Sequence, residues 1–271
     1  MRDALYENVP FVLSELKHHY GPNVHLIGNP YTMTLLANLC AEDTQQPLVN
    51  QLVRTLYTEL VVAAVNREFP RKSVAMPTRM IEHTPKAIYQ GEVLDPGSRA
   101  VSVNIARAGT LPSQVTYDLL NTIVNPKLVR QDHIVMSRML NETDTVVGSN
   151  ISGAKIGGDV DDAIVLFPDP MGATGGSLST AIDMYKRKVP GKMKKIICLH
   201  LIVTPEYLKR MTDDHKDVVI YTLRLDRGLS PEHVLSTAPG EHWSQERGLD
   251  DRQYIVPGAG GMGEVMNNAY V

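Results

Sequence analysis

The apolar positions of this chain change period partway along it. Through "TQQPLVNQLVRTLYTELVVAAVNREF", Leu48, Leu52, Leu56, Leu60 and Val61 fall near one stripe at helical spacing, and Thr44 stands where a helix cap would be. This predicts a long packing or dimer helix, and the chain up to about Phe69 reads as largely helical. From about Ser98, short β-branched runs alternate with helix-like stretches: "AVSVNIA", "LPSQVTYDLLNTIV", "HIVMSRML", "TVVGSNI", "DAIVLF", "LSTAIDMYKRK", "KIICLHLIV", "TPEYLKRMT" and "VVIYTLRL". Strands separated by helices predict an α/β fold, a twisted parallel sheet flanked by helices, behind a helical N-terminal region. No repeat of fixed period interrupts this order. Residues Leu229 to Asp251 are polar and rich in turn formers, which predicts a long loop or insertion.

The 271 residues, 43% of them hydrophobic, are enough to bury a substantial core. A formal net charge of −3 lacks the basic excess of a nucleic-acid binder. The two cysteines, Cys40 and Cys198, sit in apolar runs, so two buried thiols are expected rather than a disulfide or a zinc site. The N-terminus has no secretory-signal pattern and no apolar stretch approaches a membrane span, which makes a cytoplasmic location and no membrane partner the expectation. Nine histidines show no metalloprotease spacing, and no serine nucleophile elbow is present.

The chemistry concentrates at "PDPMGATGGS", Pro168 to Ser177, directly after the apolar run "AIVLF". In a parallel sheet, ligands gather at the carboxyl ends of strands. Small residues in a strand-to-helix turn let several amides face one anion, and the following helix start adds a favourable partial charge. The hydroxyls of Thr174 and Ser177 add donors. No Lys-Ser or Lys-Thr follows the glycines, so the turn is not a Walker loop. A Gly-rich connector without ligand is the plain alternative; Asp169, an acceptor for sugar hydroxyls beside an anion pocket, speaks against it.

"DPMGATGGS" resembles the phosphoribosyl-pyrophosphate (PRPP) segment of uracil phosphoribosyltransferases, usually DPM-L-ATGGS, with Gly172 the departure within it. "ARAGT" (Ala106 to Thr110), "SRML", "KIGGDVDD" and "YIVPGAGGMGE" are similar to further segments of that family, so the resemblance runs from about Thr84 to Glu264 and is loose in the N-terminal third. It implies a phosphoribosyltransferase-like single domain over residues 1–271, with a helical N-terminal region (1–83) and a core (84–271) that binds PRPP and base. Ala173, Thr174, Gly175, Gly176 and Ser177 would grip the 5-phosphate, with Pro170, Met171 and Gly172 completing the PRPP segment. Asp169 would hold ribose hydroxyls. Arg107 and Arg138 match two family arginines that contact PRPP, a role suited to a planar, permanently charged guanidinium; Arg107 and Asp169 are the candidate catalytic residues.

The C-terminal "GAGGMG" fits G-x-G-x-x-G, but Pro257 precedes it and the sequence given stops too soon for a further strand, which rejects a dinucleotide fingerprint. By resemblance, backbone groups of Ile255, Gly260, Gly261 and Met262 would bind uracil, with Tyr254 and Pro257 shaping the loop. The family's loop reads G-x-G-D-x-G-D-R; here Gly261 replaces the first aspartate, a PRPP contact in the family, Glu264 the second and Val265 the arginine. The resemblance implies transfer of a phosphoribosyl group from PRPP to uracil, giving UMP and diphosphate in pyrimidine salvage. Mg²⁺ would be carried in with PRPP rather than held at a protein metal site, and a homodimer or higher homo-oligomer is implied. The alternative is a non-catalytic nucleotide-binding or regulatory relative that retains the phosphate pocket.

Overall fold

The computed structural model describes residues 3–140 and 146–270, the side chains of 137–140 and 146–149 excepted. Its first strand, β1 (Val24–Leu26), comes before any α-helix. The N-terminal region is therefore less helical than its composition suggests: α1 (Pro30–Cys40) and α2 (Leu48–Glu68) follow, then a hairpin of β2 (Arg71–Pro77) and β3 (Ile88–Leu94). The segment before β1 holds one short 3-10 turn and bridges back to Ile27 through Glu15. α1 starts at an Asn29 cap whose side chain accepts from the Thr32 amide, with Pro30 in the first turn. α2 has no side-chain cap, because Pro47 occupies that position and the Thr44 hydroxyl donates to the Asn38 carbonyl at the end of α1.

α2 is long and apolar enough by composition to cross a bilayer. Its apolar stripe is instead the middle of the core: Leu52, Leu56, Leu60 and Val61 are buried, and of the predicted positions Leu48 alone lies on the exposed side. Asn50, Arg54, Glu59 and Arg67 lie along the same helix, which makes it a one-faced core helix.

The alternating half of the chain forms β4 (Arg99–Ala106), α3 (Thr110–Ile123), β5 (Val129–Leu140), β6 (Val146–Lys155), β7 (Ala163–Pro168), β8 (Met171–Gly172), α4 (Gly176–Lys188), β9 (Lys195–Val203), α5 (Pro205–Asp214) and β10 (Val218–Leu225). The sheet order is β1-β10-β9-β7-β4-β5-β6, with the short β8 beside β9. Every described pairing in it is parallel except β5 with β6. β7 and β9 are continuous apolar runs because both of their faces are covered. On β7, Ile164 and Leu166 face a core built with α2 and α3, whereas Val165 and Phe167 face a second core built with α4 and α5. Cys198 is buried as predicted; Cys40 is only half-buried and its sulfur receives an Arg224 Nη1 donor at 3.5 Å.

Residues 229–251 are not a free loop. Glu246 is 1% exposed and accepts from the Tyr20 hydroxyl, the Gly240 amide (2.8 Å) and Arg227 Nη1 (2.8 Å). Arg227 also donates to the carbonyls of Val234 and Thr237. Breaking a buried ion pair on one side strands the other charge, at about 3–5 kcal/mol. Glu246→Ala is expected to lower unfolding stability by about 3 kcal/mol in urea titration and to expose 229–251 to limited proteolysis before the sheet opens.

Candidate functional site

β4 and β7 are neighbours, but the chain leaves them in opposite directions, into α3 on one face and α4 on the other. A crevice opens where such connections diverge, at the carboxyl ends of the two strands. The turns after these strands are pressed together by Gly109: a Cβ there would stand 2.8 Å from the Ile105 carbonyl oxygen and 3.1 Å from that of Pro168. The "RAG" turn and the "DPMGATGGS" turn thus meet edge to edge.

In the second turn, Pro170 is buried and its carbonyl accepts from the Leu201 and Ile202 amides, while Met171 and Gly172 form β8. The Ala173 carbonyl accepts from the Thr204 hydroxyl at 2.7 Å. The turn's carbonyls are therefore engaged with the β9–α5 junction. Gly175 has φ 75°, a left-handed conformation that suits glycine, and α4 starts at the next residue. Gly176 donates weakly to the Thr174 hydroxyl oxygen (3.4 Å), but the amides of Ala173, Thr174, Gly175 and Ser177 have no acceptor among the described residues. Four unspent donors at the first turn of a 13-residue helix form an anion cradle.

The departure at Gly172 has a steric cause. A Cβ there would lie 2.9 Å from both Tyr207 Cγ and Val203 Cγ1, so the Tyr207 ring fills the volume a leucine would take. The Tyr207 hydroxyl in turn pairs with His200 Nε2 at 2.6 Å, and His200 Nδ1 pairs with the Asp169 carbonyl oxygen at 2.6 Å. Because a carbonyl only accepts, Nδ1 carries the proton and Nε2 accepts from tyrosine. Burial pushes His200 down to about 4, so it is neutral at physiological pH. Sequence reading passed over His200 and Tyr207; an isolated histidine in an apolar strand gives no signal of what lies beside it.

The Asp169 carboxylate accepts from the Met171 amide at 3.2 Å, and burial raises its pKa from 3.8 to about 6, outweighing that hydrogen bond. It is ionised at neutral pH at a cost to folding, and partly exposed where the crevice opens.

Arg107 follows β4 through a cis Ala106–Arg107 peptide; it is exposed and donates to the Ala269 carbonyl at 3.1 Å. Arg138 lies on β5 opposite Ser149, and its side chain is outside the described residues. The C-terminal loop reaches the same place. Asp226, at the end of β10, is paired with Arg224 (2.6 and 2.8 Å) and accepts from the Gly258 amide (2.7 Å), while Arg224 donates to the Gly258 carbonyl (3.0 Å). Gly258 and Gly260 have positive φ, and Val256–Pro257 is cis. Tyr254 is half exposed and Ile255 bridges to Leu249. Met262 opens a short helix, Met262–Val265, and is buried in the core built with α2 and α3. A Cβ on Gly261 would stand 2.7 Å from Glu264 Oε2, so a carboxylate already lies over the position that lost one. The structure brings Arg107, Asp169, residues 170–177 and the loop 255–264 to one end of the sheet. The Arg224–Asp226 clamp was not foreseen, although a carboxylate ending a strand in "LRLDRG" was a readable signal.

At the opposite end of β9 and β10 lies a cleft of about 740 Å³ in whose lining Lys195 pairs with Glu68 and Lys186 with Asp217.

A parallel sheet whose connections diverge at an anion cradle defines the phosphoribosyltransferase-like fold class. The AQ2163 protein from Aquifex aeolicus shares this fold, with a TM-score of 0.69 and 21% identity over 92% of this chain and 99% of that one. The chain belongs to the uracil phosphoribosyltransferase family, whose model matches residues 26–242. The match starts well before Thr84, so the likeness covers more of the N-terminal region than its motifs indicate. Among relatives, the uracil phosphoribosyltransferase of Burkholderia thailandensis is 28% identical over 90% of this chain and 94% of its own length, and that of Burkholderia pseudomallei is 27% identical over the same shares.

The raised Asp169 pKa yields a signed prediction. A carboxyl whose folded pKa exceeds its free value favours folding below about 4 and loses that contribution as pH rises through about 6. Asp169→Asn keeps the oxygen acceptor for Met171 and removes the charge. It should be more stable than the parent at pH 7–8 by about 1–2 kcal/mol, with the difference vanishing near pH 4 in denaturant titrations.

Proposed function

We propose that this chain transfers the phosphoribosyl group of Mg²⁺-bound PRPP to uracil, releasing UMP and diphosphate. The single observation that carries this reading is the set of four amides opening α4 that have no acceptor among the described residues, directly after the partly buried Asp169 at the end of β7. Membership of the uracil phosphoribosyltransferase family supports the choice of substrates. The cradle takes the 5-phosphate, and ionised Asp169 accepts from ribose hydroxyls. Arg107, with Arg138, faces the leaving diphosphate, for which a forked cation suits paired phosphate oxygens. The Arg107 bond to the Ala269 carbonyl is released as the diphosphate takes its place.

Displacement at the anomeric carbon builds positive charge on the ribose and negative charge on the departing diphosphate. The protein therefore orients two partners and stabilises the anion, and needs no side-chain nucleophile. Mg²⁺ enters with PRPP as part of the substrate. The glycine loop 258–261, clamped by Arg224 and Asp226, closes over the planar base, and backbone groups of Ile255, Gly260, Gly261 and Met262 read its polar edge. Glu264 supplies the loop carboxylate in place of an acid at 261. On this reading the enzyme works in pyrimidine salvage in the cytoplasm as a homodimer or larger homo-oligomer, through its exposed N-terminal and hairpin surface.

Purified protein incubated with PRPP, Mg²⁺ and each common nucleobase should release diphosphate with uracil above the others; no release with any base would end the reading. Arg107→Ala should raise KM for PRPP about tenfold or more without changing the unfolding midpoint. Glu264→Gln should lower kcat/KM about tenfold, whereas Gly261→Asp, which sets a second carboxylate against the first, should give no gain.

A further inference from the structure

The segment from Pro168 to Ser177 contains no basic residue, and its one charge is the negative Asp169. A phosphate monoester carries about −1.5 to −2 at neutral pH. Amides and hydroxyls alone would have to hold that charge beside a carboxylate. The structure places a cation there from another element. α5 packs alongside the turn, fixed by the Thr204 hydroxyl, which both caps α5 at the Tyr207 amide (3.0 Å) and donates to Ala173. One turn beyond, Arg210 reaches back to the glycines. A Cβ on Gly175 would be 3.4 Å from Arg210 Cδ; one on Gly176 would be 3.5 Å from Nη1 and 3.7 Å from Thr174 Oγ1. The stem of Arg210 thus lies along the left-handed glycine, and its guanidinium ends beside Gly176, the first residue of α4.

The guanidinium is lightly committed. Its Nε lies 3.5 Å from Asp214 Oδ2, in a pair with both side chains near half exposure, and such pairs hold weakly. The same Asp214 oxygen accepts from the Ser179 hydroxyl at 3.0 Å. Among the described residues, neither Nη group donates a hydrogen bond. We propose that Arg210 is a ligand of the monoester phosphate seated in the turn, closing over it from α5 and offsetting its charge. This deepens the proposed function and rests on that reading of the turn. A rotation of the side chain about its outer bonds moves the Nη groups toward the anion without disturbing α5.

The test is calorimetric binding of ribose 5-phosphate, and separately of diphosphate, to the full chain and to Arg210→Ala, Arg210→Lys and Arg187→Ala, the last an exposed arginine on α4. Arg210→Ala should weaken ribose 5-phosphate about tenfold or more and leave diphosphate within about twofold of the parent. Arg210→Lys should fall between the two, since it keeps the charge but not the fork. Arg187→Ala should match the parent. Ribose 5-phosphate affinity unchanged in Arg210→Ala, or diphosphate weakened as much as ribose 5-phosphate, overturns the role of Arg210. A parent chain that binds neither PRPP nor ribose 5-phosphate overturns the reading of the turn itself, and the proposal with it. Arg210 is half exposed, so the variants are expected to keep the parent unfolding midpoint, which distinguishes lost binding from lost fold.

Discussion

A helix cannot satisfy the first amides of its own backbone, and among the described residues nothing accepts from the amides of Ala173, Thr174, Gly175 and Ser177 where α4 begins. The carbonyls of the preceding turn are tied down by β9 and Thr204, so the turn is rigid while its donors stay free. Gly175 makes this possible by turning the chain through a left-handed conformation just before Gly176. The divergence of α3 and α4 from adjacent strands then leaves the cradle at an open crevice rather than under a helix. Asp169, Arg107 and the C-terminal loop stand at the same end of the sheet.

The surroundings are held by buried polar contacts. His200, kept neutral by burial, links the Asp169 backbone to Tyr207, whose ring occupies the space above Gly172. The glycine at 172 and the tyrosine at 207 are therefore one packing solution written at two distant positions. Asp226 and Arg224 act similarly on Gly258, fixing a loop whose glycines would otherwise leave it free. Asp169 runs the other way: its charge costs folding energy in the absence of a partner, the usual situation where a site is organised for a ligand rather than for stability.

The parts added around the sheet also serve the site's framework. β1 extends the sheet beyond β10, and Tyr20, just before it, reaches Glu246 in the segment following β10. The 229–251 segment is thereby anchored to both the N-terminal region and the strand that carries Asp226. The β2–β3 hairpin, with few buried positions, stands apart from this framework.

Much of this was legible along the chain. The β-branched runs and the helix-like stretches between them marked the long strands and helices after Ser98, and the helical stripe marked α2, because a strand covered on both faces and a helix covered on one leave distinct periods. The strand-to-helix turn from Pro168 to Ser177 was legible because an apolar run, a cluster of small residues and a helix-like stretch follow one another there. Tertiary structure alone decided the rest. The N-terminal strand and the anchored 229–251 segment depend on partners more than 190 residues away, Thr222 for Leu26 and Tyr20 for Glu246, and no local pattern records them. Nor could periodicity show that Tyr207 excuses Gly172, that Glu264 lies over Gly261 or that Arg210 lies against Gly176, since each is a matter of which volumes and charges meet once distant segments are packed. Sequence determined where the small-residue turn falls between a strand and a helix; folding decided which side chains stand around it.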